Sequence, residues 1–274
     1  MKLYKSTIQY LIYSNVLVSL CAVSLSMVTE LFLDTNNNMS IHVFIGLSTF
    51  ITYNLQRIIR YKNKDVTKRA MWMKKNYTIN ITTIITAVII CSYIFFKFNI
   101  NTKLLVIFCG LLCLAYPIFL RNIPYIKIFL ITTVWSISTV LFIVTENNLE
   151  LNGEIIHIIL SRFFFIIAIT IPFDIRDIKI DNKEMKTIPI IFKEKTAVSI
   201  AISCLFAFES ISIIQYLLNE IHYSLLIGIT LSFLYSLFII KESNSKKPDI
   251  YFSLWVESSS LFLYLFLLIC TLMF

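Results

Sequence analysis

Nine runs of apolar residues, most of them close to 20 residues long, follow one another along this 274-residue chain, near 8–33, 41–60, 78–98, 104–120, 125–145, 155–173, 196–218, 222–240 and 251–273. A run of that length in helix crosses a hydrocarbon layer about 30 Å thick, and only helices or closed barrels satisfy every backbone polar group inside lipid. Barrel strands alternate apolar and polar residues, and these runs do not. The sequence therefore predicts an all-α polytopic membrane protein with nine transmembrane helices, organised as a single domain over residues 1–274. Charged residues make up 15% of the chain, well under the roughly 25% of a soluble domain. The first run follows Lys2 and Lys5 in the manner of a secretory leader, but its length, Gln9, Asn15 and the lack of a small-residue cleavage site read as a retained span.

The charges sort by side. The N-terminus and the connections after spans two, four, six and eight hold 21 of the 24 Lys and Arg, whereas the opposite connections hold Lys97 and Lys103 and carry Asp34, Glu146, Glu150, Glu154 and Glu220. Basic loops mark the cytoplasmic face, so the N-terminus is expected there and the C-terminus outside. In a membrane protein the net charge of +8 reports this orientation and calls for no nucleic-acid partner. Richness in Lys, Asn and Ile points to a bacterial inner membrane. His42, His157 and His222 fall near the outer ends of their spans, which argues against a histidine metal site or a Ser–His hydrolase.

One polar cluster is not explained by topology. At the basic end of span six the chain reads Phe173-Asp174-Ile175-Arg176-Asp177-Ile178-Lys179-Ile180-Asp181. Positions i, i+3 and i+7 share a helix face, so Asp174, Asp177 and Asp181 form a line of carboxylates. Two readings are open from spacing alone: a solvated helix end neutralised by Arg176 and Lys179, or oxygen ligands for a hard cation such as Mg²⁺ that bridges them to phosphates.

Downstream the chain continues Lys186-Thr187-Ile188-Pro189 and Lys193-Glu194-Lys195-Thr196-Ala197, and between spans four and five it reads Tyr116-Pro117-Ile118-Phe119-Leu120-Arg121. With these segments the sequence resembles the UbiA-type intramembrane prenyltransferases. That family carries an Asp motif at the end of helix six, a Lys-Ser/Thr-aliphatic-Pro segment, a Gly-Lys-Glu-Lys-Ala-like turn and a Tyr-Ser/Pro-x-x-x-Lys/Arg motif. Phe192 stands where the turn has its Gly. The resemblance implies transfer of a prenyl group from a prenyl diphosphate to a lipid-soluble, aromatic acceptor. It also implies Mg²⁺ held by Asp174, Asp177 and Asp181, with phosphate charge neutralised by Arg121, Lys127 and Lys186 beside Tyr116.

The family's other Asp motif, NDxxDxxxD at the end of helix two, is missing. The corresponding stretch is Tyr53-Asn54-Leu55-Gln56-Arg57-Ile58-Ile59-Arg60-Tyr61-Lys62, in which no register restores an acid. Arg57 and Arg60 can replace the lost metal, since a guanidinium binds phosphate bidentately and brings its own charge. By resemblance, Asn54 and Arg57 face the carboxylates from helix two. Two other readings remain: a terpene-cyclase-like enzyme with no acceptor, and a membrane protein that binds isoprenoid lipid without cleaving diphosphate. Within the spans, Arg162 and Glu209 lie at similar depth and are expected to pair; Glu257 lies near the basic end of span nine, within reach of the site rim or the interface.

Overall fold

The computed structural model describes residues 2–35, 39–61, 68–120, 123, 125–178 and 186–274. Eleven helices follow in order: α1 Lys2–Tyr13, α2 Val16–Leu33, α3 Met39–Tyr61, α4 Lys68–Lys75, α5 Tyr77–Lys97, α6 Ile100–Ile118, α7 Ile126–Glu146, α8 Gly153–Asp177, α9 Ile188–Leu217, α10 Tyr223–Lys241 and α11 Tyr251–Met273. Among the described residues, eight of these are long and apolar enough to cross a membrane. The remaining long helix, α3, has 23 residues and reaches about 35 Å at 1.5 Å per residue, but a polar stripe lowers its hydropathy. That stripe, with Thr49, Thr52, Tyr53, Gln56 and Arg57 at helical spacing, faces the interior of the bundle. The predicted spans thus correspond to α1–α2 and α3, then α5 to α11.

The first apolar run is two helices, not one. At the break Asn15 takes a left-handed backbone (φ 64°), a conformation Asn tolerates better than most residues, and the Ser14 hydroxyl donates to Tyr10 O at 2.6 Å. Helix α4, short and basic, lies within what the sequence shows only as a charged connection. Its Trp72 ring meets Tyr10 and Tyr13 edge-on at 5.7 and 6.0 Å, which lays α4 across α1.

Helix α8 is the axis of the bundle, and Phe165, Ile166, Ala168, Ile171 and Ile175 on it are at most 1% exposed. A large apolar cluster joins it to α2, α9, α10 and α11, and a second cluster ties α3, α5, α6 and α7 around Ile41, Ile45 and Ile143. Two helices carry π-helical turns, Ile137–Leu141 in α7 and Tyr251–Val256 in α11. Such turns interrupt the regular hydrogen-bond ladder and re-aim the side chains that follow. Helix α9 has its own irregularity at Lys193 (φ 67°), one residue past the Phe192 that replaces the expected Gly, so the kink falls on the lysine of that turn.

In lipid, helices associate through close packing at small residues, since the surrounding tails are as apolar as the side chains. Gly228 of α10 is such a contact: a Cβ there would lie 2.8 Å from Leu267 Cα and 3.0 Å from Leu267 N. Backbone cannot yield as a side chain can, so Gly228→Ala is expected to destabilise the protein by about 1–3 kcal/mol. Thermal unfolding in a fixed detergent checks this, and a variant as stable as wild type would refute the close approach. At the acidic end, His42 bridges α2 and α3, its Nε2 2.7 Å from Glu30 and its Nδ1 2.7 Å from the Ser26 hydroxyl. His157 meets Glu220 at 2.8 Å.

The expected Arg162–Glu209 pair does not form. Arg162 (3% exposed) instead donates to Leu25 O at 2.6 Å, Thr29 Oγ1 at 3.2 Å and Thr139 Oγ1 at 3.4 Å, which binds α8 to α2 and to the π turn of α7. Glu209 accepts from Thr230 Oγ1 at 2.7 Å on the far side of α9. Equal depth in two spans did not place the two side chains on facing surfaces.

Candidate functional site

The two apolar clusters part around a cavity of about 370 Å³. Its inner wall is apolar, built from Phe44, Val106, Val134, Phe142, Ile166 and Ile169; its end toward the basic loops is lined by Arg57, Arg69, Lys127, Asp174, Arg176, Asp177 and Glu257. One helix face explains each contribution. On α8, Ile166, Thr170, Phe173, Asp174 and Asp177 recur at three- and four-residue spacing and carry the wall from apolar to charged within three turns.

Lys127, Asp174, Arg176, Asp177 and Arg69 each have a defined ion-pair or hydrogen-bond setting. Asp174, 2% exposed, lies 2.7 Å from Lys127 Nζ, so the pair joins α8 to α7. Asp177 takes both oxygens to Arg176, Oδ1 to Nε at 2.7 Å and Oδ2 to Nη2 at 3.0 Å. The same guanidinium reaches Asp249 at 3.1 Å and lies 5.2 Å from the Phe173 ring. Arg69 enters from α4 and donates to Tyr13 O, Ile12 O and Asn15 Oδ1 at 3.3, 2.5 and 2.6 Å. The two main-chain acceptors are available because the α1–α2 break leaves helix-end carbonyls without the i+4 donors a continuous helix would supply. Glu257, which follows the π turn of α11, lines the same cavity as Arg176, Arg69 and Arg57.

Of the residues expected at a site, Arg57, Tyr116, Lys127, Asp174 and Asp177 line this one cavity. Asn54 does not. It is buried one turn away and accepts from Asn15 Nδ2 at 3.0 Å while donating to Ser14 O and Phe50 O, so it fastens α3 to the break in the first span. Lys186 is exposed outside the cavity, its ammonium 5.9 Å from the Tyr125 ring. Arg121 and Asp181 lie outside the described residues, as do Lys62 and Asp65, and so does the side chain of Arg60.

Three cavity groups went unassigned in the sequence. Arg69 was hidden in a loop whose lysines and arginines topology already explained. In the sequence Arg176 reads only as a neutraliser, and Glu257 falls between rim and interface. The signal for Glu257 was its cost, because a carboxylate within an apolar span is a functional candidate by default.

The fit of Mg²⁺ to these residues can be tested directly. Both described acids of the DxxDxxxD series are each engaged by a cation, and among the described residues no group of three or more His, Cys, Asp or Glu is placed to hold a metal. As arranged, the described residues do not make a Mg²⁺ site. What they make is a cluster of guanidinium and ammonium groups at the mouth of an apolar cavity, suited to an anionic head with an apolar tail.

Comparison with known proteins gives two findings. Residues 77–266 match the UbiA prenyltransferase family. The fold is similar to a solved structure reported under the heading of digeranylgeranylglyceryl phosphate synthase in membranes, with a TM-score of 0.62 and 15% identity over the whole of both chains. No curated protein sequence matches the chain.

Proposed function

Because this chain belongs to the UbiA prenyltransferase family, we propose that it transfers a prenyl group from a prenyl diphosphate to a lipid-soluble, aromatic acceptor. The observation that carries the reading is the polarity gradient of the cavity: cations at the mouth, aliphatic and aromatic residues within. The diphosphate lies at the mouth among Arg57, Arg69 and Arg176, with Lys127 nearby, and the prenyl tail runs inward past Phe44, Val134 and Ile166. The bond between prenyl C1 and the diphosphate oxygen breaks, and its electron pair stays with the leaving oxygen. Guanidinium groups fixed in place before the reaction stabilise that developing charge without reorganising. The acceptor supplies a ring electron pair to C1 and releases its ring proton to water. Trp135 and Phe142 on the wall shield the allylic cation from water and offer it their ring faces. In this reading the basic end faces the cytoplasm, with the N-terminus on that side.

The test is release of pyrophosphate by purified protein in lipid nanodiscs, offered a panel of prenyl diphosphates, with and without a membrane lipid extract and with and without Mg²⁺. The expected result is release that depends on the extract and falls at least 100-fold in Asp174→Asn, which leaves Lys127 without its carboxylate. Release that needs no acceptor would make the protein a cyclase. Absence of release with every donor, together with retained binding of isoprenoid lipid, would overturn catalysis; the ion pairs that already occupy Asp174 and Asp177 favour that second reading.

A further inference from the structure

The six cysteines fall on five helices, and all are free thiols. Two of them, Cys109 and Cys113, share α6, and both line the cavity. Four residues apart, they stand on one helix face with β-carbons about 5–6 Å apart. That separation is too wide for a disulfide, which needs about 3.5–4.5 Å. It suits a single bridging atom, because two metal–thiolate bonds of about 2.3 Å each hold sulfurs up to about 4.6 Å apart. The backbone sets the level of the pair. Pro117, four residues beyond Cys113, has no N–H to offer the Cys113 carbonyl, and Gln56 Nε2 donates to it instead at 3.4 Å. This bond puts Cys113 level with the Gln56–Arg57 turn of α3, at the charged end of the cavity, and Cys109 one turn deeper, about 5.4 Å. Gly110 between them also lines the cavity, and a Cβ there would meet nothing within 4 Å, so the wall has room at this level.

We infer that Cys109 and Cys113 form a two-thiolate site for a soft monovalent metal ion of the Cu(I) class, set in the cavity wall. Thiolate sulfur selects soft ions and leaves Mg²⁺ and Ca²⁺ to oxygen ligands. Cu(I) is satisfied by two sulfurs in line, so the pair needs no third ligand. Each thiol gives its proton to water as its sulfur binds, and the complex of one cation with two thiolates carries one negative charge. The same cavity supplies the balance, since its charged end holds four cations against three carboxylates in formal charge. Positive surroundings favour thiolate over thiol. Access is from the mouth, where Cys113 is half-buried, toward Cys109, which is 6% exposed. The other four cysteines lack this arrangement. Cys21, Cys91, Cys204 and Cys270 stand on separate helices, and Cys21 and Cys91 direct their thiols at Glu257 O and Phe44 O, at 3.2 and 3.9 Å. The site belongs to the wall of the cavity and does not depend on the prenyl diphosphate reading.

Competition for Cu(I) between the full-length protein in nanodiscs and the chromophoric chelator bathocuproine disulfonate, under ascorbate, tests this. Wild type is expected to withdraw one Cu(I) per chain. Cys109→Ser and Cys113→Ser are each expected to bind at least about 100-fold weaker, beyond the cost of losing an outer-shell partner, and Cys204→Ser as tightly as wild type. Phenylarsine oxide on the wild-type protein gives a second measurement that needs no variant. Its oxygen leaves as water with the two thiol protons, and its arsenic takes both sulfurs. One phenylarsenic group should therefore bridge the peptide that holds residues 109–113 and leave four of the six thiols free. Failure of wild type to withdraw Cu(I), binding undiminished in both Cys109→Ser and Cys113→Ser, or arsenic found only on other cysteines would overturn the inference. A protein that cleaves no prenyl diphosphate but binds Cu(I) in this pattern would sink the proposed function and leave this site standing.

Discussion

Lys127→Met is expected to cost about 3–5 kcal/mol of stability and to abolish pyrophosphate release, because it strips the cation from a carboxylate that is 2% exposed. The cost comes from Asp174, which would remain charged and desolvated inside the bundle, and not from any large intrinsic strength of the pair. The companion variant makes that distinction. Lys127→Met combined with Asp174→Leu removes both charges, and apolar replacement of a buried pair is commonly neutral in stability. The double variant should therefore recover most of the lost unfolding temperature while pyrophosphate release remains absent. A single variant that unfolds with wild type would show that Lys127 does not hold Asp174. Recovered activity in the double variant would remove both residues from the reaction.

The exchange Arg162→Glu with Glu209→Arg is expected to be at least as damaging as either single alanine change, with a loss above about 4 kcal/mol and little protein reaching the membrane fraction. Were the two side chains partners, the exchange would preserve the pair. The acceptors around Arg162 predict otherwise: Leu25 O at 2.6 Å and the oxygens of Thr29 and Thr139. The Thr29 hydroxyl already donates to Thr139 O at 2.7 Å and the Thr139 hydroxyl to Trp135 O at 2.7 Å. A carboxylate at position 162 brings only lone pairs to a carbonyl and two committed hydroxyls, and a buried acceptor without donors bears its full desolvation cost. Yield and thermal unfolding of the exchanged protein beside Arg162→Ala and Glu209→Ala measure the difference. An exchanged protein as stable as wild type would contradict the geometry around Arg162.

How far the sequence disclosed this molecule depended on which physical signal each feature leaves. Span positions were legible because hydrocarbon thickness imposes a run length, and the runs ending near 145, 240 and 273 match α7, α10 and α11 closely. The break at Asn15 was not, since a single left-handed residue leaves an apolar run intact. Residues carried by one helix face, Asp174 with Asp177, or pointed to by the resemblance, Tyr116 by its motif and Lys127 beyond it, line the cavity. Residues brought in from separate elements were not legible: Arg69 depends on how α4 lies on α1, and Glu257 on a π turn that no periodicity announces. Asn54 shows the converse error. Its amide has the chemistry of a substrate ligand, but a helix rotation of one position points it at Ser14 and Asn15, where it holds the frame.

The joint between α1 and α2 is fastened mainly through main-chain oxygens, those of Ile12 and Tyr13 by Arg69 and that of Ser14 by Asn54. A fastening that reads carbonyls is indifferent to the identity of the residues that bear them. Positions 12 and 14 are limited only by packing and by the Ser14 hydroxyl's bond to Tyr10 O, whereas positions 15, 54 and 69 carry the side chains that read the carbonyls. A saturation scan scored on folded yield should therefore accept apolar residues of similar size at position 12 and small residues at position 14, and be intolerant at positions 15, 54 and 69. The joint leaves little mark in the letters of the segment it secures.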